Sequence, residues 1–267
     1  MIVYNAFPVE CKFGPNGPMK STRSNVFNYA RNFAVCLGVL GLYSSFLLSY
    51  DYKMFPTDEG PKLRDVTLSN LFSWHQLANN FLTAVLFQIY LTTFSYAINT
   101  VTSLVGITQK PMMLNPIFES TSVSDFWGRR WNMVVHGLLK RGVYKPVRTR
   151  FSRFLAAMAA FLASGLFHEW LLSITLYPDH DGGPTYSPGY GRNTLFFVWN
   201  AILISIEYAV SGAAVFKSLK QHLPPTIISL LVTSTALPVA HWFTNDYVRT
   251  DFFHDGQLGW PMIIRLQ

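Results

Sequence analysis

Five long apolar runs constrain the fold of this chain more than any other feature. A bilayer core is crossed by a helix of about 20 mostly apolar residues. Five runs are about that long or longer: Asn32–Tyr50, Leu77–Ile107, Phe154–Tyr177, Thr194–Phe216 and Leu223–Phe243. Backbone groups in lipid must be hydrogen-bonded internally, and the runs lack the ten-residue alternation of barrel strands. We therefore predict an all-α, polytopic membrane protein with about five transmembrane helices and one interfacial helix.

Composition supports a lipid environment and restricts the class of protein. Only 13% of the residues are charged, about half the share of a soluble domain. The formal net charge of +7 is concentrated beside apolar runs, which fits cytosolic loops or a phosphorylated substrate better than nucleic acid. The two cysteines, Cys11 and Cys36, predict neither a disulfide framework nor a CxxC metal or redox site.

The order of the runs suggests a topology and a division of the chain. Placing Arg23 and Arg31 in the cytosol also puts the basic residues of 108–153 there, whereas the 178–193 loop lies on the other side. Leu77–Ile107 can be one tilted helix or a helix with an interfacial turn. If this run were split into two spans, the orientation of every later span in the membrane would be reversed. Without a recognisable cleavable signal, the first run is interpreted as a signal anchor. We predict an N-terminal segment, 1–107, and a core, 108–267.

A polar motif from Asp125 to Asn132 predicts an amphipathic helix at the membrane surface. Ser122 and Ser124 precede Asp125 in a pattern typical of a helix start. If 124–139 is helical, one face is apolar and carries Trp127, Trp131, Val134, Val135 and Leu138. Another face carries Asp125, Arg129, Asn132 and His136. A peripheral helix with a solvated polar face remains an alternative, although Gly128 indicates a close approach to the backbone.

A His-Glu pair lies deep in the third long apolar run. His168 is about 21 Å along a helix that begins at Phe154, a depth at which ionisable residues are costly and usually functional. Glu169 points about 100° away, so we expect one of the two to react and the other to have a structural partner. Ser164 lies one turn before His168. A structural histidine bonded to a neighbouring helix is the alternative.

These residue types favour transfer of a group from an anionic carrier. A neutral buried imidazole can accept the proton of an alcohol, and the Asn132 amide can stabilise a developing oxyanion. Eight basic residues and no acidic ones lie between Asp125 and Glu169, which suits a carrier such as coenzyme A: Arg129, Arg130, Lys140, Arg141, Lys145, Arg148, Arg150 and Arg153. A His-Glu-x-x-His zinc site is excluded because residue 172 is leucine. We expect no metal and no cofactor.

The motifs Asp125-Phe-Trp-Gly-Arg-Arg-Trp-Asn132, Val143-Tyr-Lys-Pro146 and Ser164-Gly-Leu-Phe-His-Glu169 resemble the wax-synthase branch of the membrane-bound O-acyltransferase family. The resemblance covers about 115–267. It implies acyl transfer from acyl-CoA to a hydroxyl, with His168 as the catalytic residue and Asn132 as its partner. It also implies more membrane helices ahead of the motif, so the N-terminal part is expected to be short relative to the family.

The expected function is therefore wax ester synthesis in a multi-pass membrane protein of the endoplasmic reticulum. Arg129, Arg130, Trp131, Lys140 and Arg141 are the predicted substrate-binding residues. Asp125, Glu169 and Ser164 are predicted to support the site. Sterol, terpenoid or diacylglycerol acceptors remain open, as does a non-enzymatic lipid-binding or transport protein with a proton relay.

Overall fold

The computed structural model describes residues 11–15, 17–55, 71–175, 189–212, 218, 221–250 and 252–253. Four helices in this part of the chain are long and apolar enough to cross a membrane: α1 (Arg23–Leu48), α2 (Trp74–Leu104), α7 (Arg153–Thr175) and α8 (Arg192–Val210). The prediction of a polytopic helical membrane protein is confirmed. The α2 helix is continuous, so the split that would reverse the topology is absent there.

A fifth apolar segment is bent. It comprises α9 (Pro225–Ser234), a 3-10 turn (Leu237–Val239) and α10 (His241–Arg249), with a 69° bend between its halves. Pro238 has no backbone N–H and so interrupts the helix. The Leu237 carbonyl at the break accepts a hydrogen bond from Asn80 Nδ2 on α2, at 2.7 Å. The described residues therefore contain four candidate spans, or five if the bent pair counts as one.

The α1 and α2 helices form an antiparallel pair. The Tyr43 hydroxyl donates to the Leu82 carbonyl at 3.0 Å, and Ser21 at the start of α1 bonds to Gly106 after the end of α2. The α1 helix begins nine residues before the predicted apolar run because the Thr22 side chain accepts a hydrogen bond from Asn25 N–H. Ahead of α1 lies a two-stranded hairpin, β1 (Phe13–Gly14) and β2 (Gly17–Pro18).

Two apolar cores hold the helices together. One joins α1 and α2 to α10 and to Phe253 through Leu47, Leu86 and Val248. The other joins Phe196 and Phe197 of α8 to the 3-10 turn and Ala240. The first core crosses the proposed boundary at residue 107, and the division of the chain there remains a prediction.

The predicted single helix over 124–139 is wrong. This stretch, which with Val123 we call the motif segment, contains α4 (Val123–Asp125), a π-helical turn (Phe126–Arg130) and α5 (Met133–Leu139). Between the last two, Trp131 is extended and Asn132 is left-handed with φ 41°.

The break occurs because an extended segment takes up the backbone groups that a helix would use. Leu114 N–H donates to the Arg130 carbonyl at 3.0 Å, and Met133 N–H donates to the Met112 carbonyl at 2.8 Å. A short helix α3 (Pro116–Glu119) follows this extended segment. The prediction that Arg129 and Asn132 lie on one polar face of a single helix is therefore wrong. After α5, a π-helical turn (Lys140–Tyr144) and α6 (Lys145–Arg148) lead to α7.

Candidate active site

A cavity of about 420 Å³ lies between the motif segment, α7 and α8. It brings Asn132 and His168 to one space, although they come from different elements 36 positions apart in the sequence. Its walls are aromatic and small apolar side chains, and cationic side chains also line it. The lining includes Ser124, Trp127, Arg129, Trp131, Asn132, Lys140, Arg153, Ser164, His168, Phe197 and Tyr208.

His168 is held in one tautomer. Its Nδ1 lies 2.7 Å from the Ser164 carbonyl oxygen, one turn earlier on α7. Because a carbonyl only accepts, Nδ1 carries the proton and the neutral ring has its lone pair on Nε2. The half-buried ring packs against Phe197 and Phe243, with centroid distances of 4.7 and 5.3 Å. The site therefore contains an oriented imidazole with an available acceptor nitrogen.

Asn132 is positioned by the break in the motif segment. Its Oδ1 accepts a hydrogen bond from Val135 N–H at 3.3 Å, which caps α5, and its own N–H contacts Met113 Sδ at 3.3 Å. Asparagine tolerates the left-handed conformation better than most residues. Since Oδ1 is engaged, the Nδ2 amide hydrogens are the donors that the side chain retains.

Asp125 organises the two arginines of the motif in different ways. Arg130 Nε donates to the buried Asp125 carboxylate at 2.9 Å, and Arg130 Nη1 donates to Glu119 at 2.8 Å and to the Leu114 carbonyl at 3.1 Å. Arg129 also pairs with Asp125, at 3.1 Å, but its side chain is 74% exposed. Arg129 lines the cavity, whereas Arg130 and Asp125 do not. Arg129 and Arg130 were both predicted to bind substrate. The hydrogen bonds of Arg130 are engaged in holding the motif segment.

The pKa of Asp125 is lowered by these contacts. Burial opposes ionisation of the carboxyl group, but the hydrogen bond from Thr121 N–H and the pairs with Arg130 and Arg129 outweigh it. The pKa of Glu119 is also lowered, by hydrogen bonds from Asn115 and Arg130. The network is therefore ionised at neutral pH.

The two tryptophans of the motif wall the cavity. Trp127 Nε1 donates to Asn200 Oδ1 of α8 at 3.0 Å, and the indole contacts Phe161 and Phe197. Trp131, a predicted substrate-binding residue, stacks on Phe126 with centroids 5.4 Å apart. Both line the cavity, so neither serves only as a membrane anchor.

Only part of the basic cluster faces this cavity. Arg129, Lys140 and Arg153 line it, and Arg141 does not. Arg153 was not among the predicted site residues, although it belongs to the basic cluster of the sequence. It donates to the Tyr208 hydroxyl at 3.0 Å, with its guanidinium 4.1 Å from the ring centroid. Helical spacing could have found it, because Arg153, Ala157, Ala160, Ser164 and His168 lie on one face of α7.

Glu169 lies outside the cavity and has a structural partner. Its Oε1 accepts from Thr194 N–H in the first turn of α8 at 3.1 Å, where a carboxylate is favoured by the helix dipole. Gly165 allows this close approach, since a Cβ there would lie 2.5 Å from Thr194 Cα. Ser164 lines the cavity and is 4% exposed. Its carbonyl orients His168, as described above.

No group of three or more His, Cys, Asp or Glu side chains within the described ranges could hold a metal ion. The cavity is lined mainly by aromatic, aliphatic and cationic side chains. The absence of a metal or other cofactor from the reaction remains an expectation.

Comparison with known proteins shows which proteins this chain resembles. Residues 110–199 match the model of the Membrane bound O-acyl transferase family, a range that includes the motif segment, α7 and the first turns of α8. Over this range, about a third of its length, the chain is similar to this family. Its similarity is to the long-chain-alcohol O-fatty-acyltransferases, the wax-synthase-like branch.

Three relatives from Arabidopsis thaliana illustrate the similarity. "Probable long-chain-alcohol O-fatty-acyltransferase 9" is 37% identical over 117 residues, covering 41% of this chain and 31% of the relative. "Probable long-chain-alcohol O-fatty-acyltransferase 6" is 27% identical over 270 residues, covering 94% of this chain and 67% of the relative. "Acyl-CoA--sterol O-acyltransferase 1" is 28% identical over 137 residues, covering 48% and 36%. The chain thus spans about a third to two thirds of these relatives.

Proposed function

We propose that this protein transfers a fatty acyl group from acyl-CoA to the hydroxyl of a lipophilic long-chain alcohol and so forms a wax ester. The observation that carries the proposal is the shared cavity of His168 and Asn132, in which His168 has its free lone pair on Nε2. The names of the relatives support the same donor and acceptor classes.

The reaction begins with proton transfer from the alcohol to His168 Nε2. The alcohol oxygen attacks the thioester carbonyl carbon, and Asn132 Nδ2–H donates to the oxygen on which negative charge develops. The tetrahedral intermediate then collapses, the C–S bond breaks, and the sulfur leaves as a thiolate. His168 returns its proton to that sulfur, which gives the ester, free coenzyme A and the starting form of the enzyme.

The cationic part of the cavity is the proposed entrance for the donor. Arg129, Lys140 and Arg153 line it and would contact the phosphates of coenzyme A. With the topology predicted from the basic loops, this entrance faces the cytosol. The predicted binding role of Arg130 becomes an indirect one, since its three hydrogen bonds support the motif segment.

The acceptor is proposed to enter from the bilayer, past the aromatic wall of Trp127, Trp131 and Phe161. A sterol is the second candidate acceptor, because one relative is named as an acyl-CoA–sterol O-acyltransferase. The endoplasmic reticulum is the proposed membrane. Terpenoid and diacylglycerol acceptors belong in the same assay.

The decisive experiment measures free thiol release and ester formation in isolated membranes supplied with acyl-CoA and a panel of alcohols and sterols. We expect His168→Ala to lower turnover by about 10²–10⁴-fold, the usual contribution of a general base. His222→Ala is a matched control, because that exposed ring also contacts the carbonyl four residues earlier, at 2.8 Å, but lies off the cavity.

Retained activity in correctly folded His168→Ala protein would exclude His168 as the base. An intact protein that releases no thiol with any acceptor would favour the non-enzymatic alternative. The preferred alcohol in the panel distinguishes wax ester synthesis from sterol acylation.

A further inference from the structure

Glu207 on α8 makes two short hydrogen bonds to the start of the motif segment. Ser124 N–H donates to Glu207 Oε2 at 2.9 Å, and the Ser124 hydroxyl donates to Oε1 at 2.7 Å. A carboxylate on a membrane helix is costly unless it is paired, and hydrogen bonds to a charged acceptor are stronger than neutral ones. Glu207 therefore holds a specific point of the motif segment.

A second contact lies two helical turns away. Asn200 is fully buried, and its Oδ1 accepts from Trp127 Nε1 at 3.0 Å. Asn200 and Glu207 are seven positions apart, which corresponds to about 10.5 Å along α8. The helix thus holds the motif segment at two separate points, Ser124 and Trp127, which restricts its rotation relative to α8 as well as its distance from it.

The same helix is attached to the His168 helix. Thr194 N–H donates to Glu169, and Gly165 lets the two backbones approach closely at Thr194. Phe197 contacts the His168 ring directly. The α8 helix therefore connects the motif segment, which carries Asn132, to the helix that carries His168.

We propose that Glu207 is a positioning residue that sets the separation between Asn132 and His168 through Ser124. The catalytic consequence rests on the proposed acyl transfer, whereas the structural consequence does not. Loss of the carboxylate frees the start of the motif segment, so Asn132 is held less closely to the place where the oxyanion forms. A displacement of about 1 Å can lower a rate by about 100-fold.

The structural experiment measures a distance distribution with spin labels on the exposed residues Leu138 of α5 and Leu166 of α7, in protein with Cys11 and Cys36 replaced by serine. Glu207→Ala should broaden and lengthen this distribution. Glu207→Gln should have a smaller effect, because the amide oxygen still accepts one of the two hydrogen bonds. Ser205→Ala is the control on the same helix, since that hydroxyl bonds only to the Ala201 carbonyl.

The kinetic experiment uses the same variants without labels. We expect Glu207→Ala to lower kcat about 10- to 100-fold and to change the KM for acyl-CoA less than threefold, because Lys140 and Arg153 remain in place. Glu207→Gln should recover part of the loss. An unchanged distance distribution in Glu207→Ala overturns the positioning role, whatever happens to kcat. If the unmodified protein does not turn over, the proposed function fails, and the distance measurement still decides the role of Glu207.

Discussion

At the scale of single residues, the close approach of α7 and α8 depends on Gly165. A side chain at this position would meet the backbone of Thr194, which cannot move aside as a flexible side-chain end can. Small residues are the usual means by which membrane helices come this close. The contact lies one turn before Glu169 and beside His168, so it affects both the packing and the site.

We expect Gly165→Ala to destabilise the protein by about 1–3 kcal/mol, as overpacking of a tight contact usually does. Unfolding in detergent by heat or denaturant measures the change. Gly38→Ala is the matched control, because a methyl group on Gly38 of α1 meets nothing within 4 Å. Equal stability of the two variants would contradict the importance of the contact.

Asp125 should make the stability of the fold depend on pH in the acidic range. Its pKa in the folded state lies below the ordinary value of 3.8. The ionised carboxylate therefore stabilises the fold above about pH 4, and this contribution is lost as the pH falls through the lowered pKa. Asp125→Asn should cost roughly 1.5–3 kcal/mol at pH 7, the worth of a hydrogen bond to a charged group.

Unfolding of the wild type and of Asp125→Asn between pH 7 and pH 3 tests this expectation. The variant should be less stable at pH 7 and should lose less on acidification. Glu119→Gln, which alters a more exposed partner of Arg130, should have the smaller effect at neutral pH. A larger acid loss in Asp125→Asn than in the wild type would show that the ion pairs do not stabilise the fold.

At the scale of elements, the turn after α5 divides the basic cluster. Lys140 and Tyr144 of the π-helical turn line the cavity, and Arg141 does not. From the sequence alone, Lys140 and Arg141 were both predicted to bind substrate. Separate substitution of Lys140 and Arg141 therefore tests whether binding of the proposed acyl donor depends on contact within the cavity or on the local positive charge.

Lys140→Gln should raise the KM for acyl-CoA about two- to fivefold, because an exposed ionic contact contributes only about 0.2–1 kcal/mol. Arg141→Gln, with the same loss of charge one residue later, should change this KM less. The comparison requires steady-state kinetics at fixed ionic strength. Equal effects of the two variants would indicate that long-range charge, and not contact in the cavity, attracts the donor.

The long helices were predictable because their apolar composition is a local property. The break in the motif segment was not, because it depends on hydrogen bonds between Arg130–Met133 and a distant extended segment, Met112–Leu114. Residue type and family resemblance drew attention to His168 and Asn132, which line the same cavity, and their catalytic roles remain predictions. Glu207 and Asn200 were missed, since nothing in the sequence indicates that α8 contacts the motif segment at Ser124 and Trp127.

At the scale of the whole molecule, the orientation in the membrane remains a prediction from charge. That prediction requires each apolar run to cross the membrane once, so that successive loops lie on opposite sides. The α2 helix is a single helix, which agrees with this requirement. Asp179 and Asp181 lie outside the described residues, and so do Lys217 and Lys220. The predicted topology places the two lysines in the cytosol and the two aspartates on the other side, and this placement follows only from the number of spans between them.

Labelling of Lys140→Cys and Asp181→Cys in sealed vesicles tests the orientation. With Cys11 and Cys36 replaced by serine, an impermeant thiol reagent on the cytosolic side should modify position 140 and not position 181. Reagent on the other side should give the reverse pattern. Modification of both positions from one side would mean that α7 does not cross the membrane.

The hydrogen bond from His168 Nδ1 to the Ser164 carbonyl has a further consequence for the energetics of turnover. Since Nδ1 keeps its proton, the imidazole cannot pass a proton from one of its nitrogens to the other, and the proton taken up by Nε2 must leave from Nε2. In the proposed acyl transfer, the hydrogen received from the alcohol is therefore the one given to the departing sulfur. Such a cycle moves no net charge between the two sides of the bilayer, and its rate should be indifferent to the transmembrane potential.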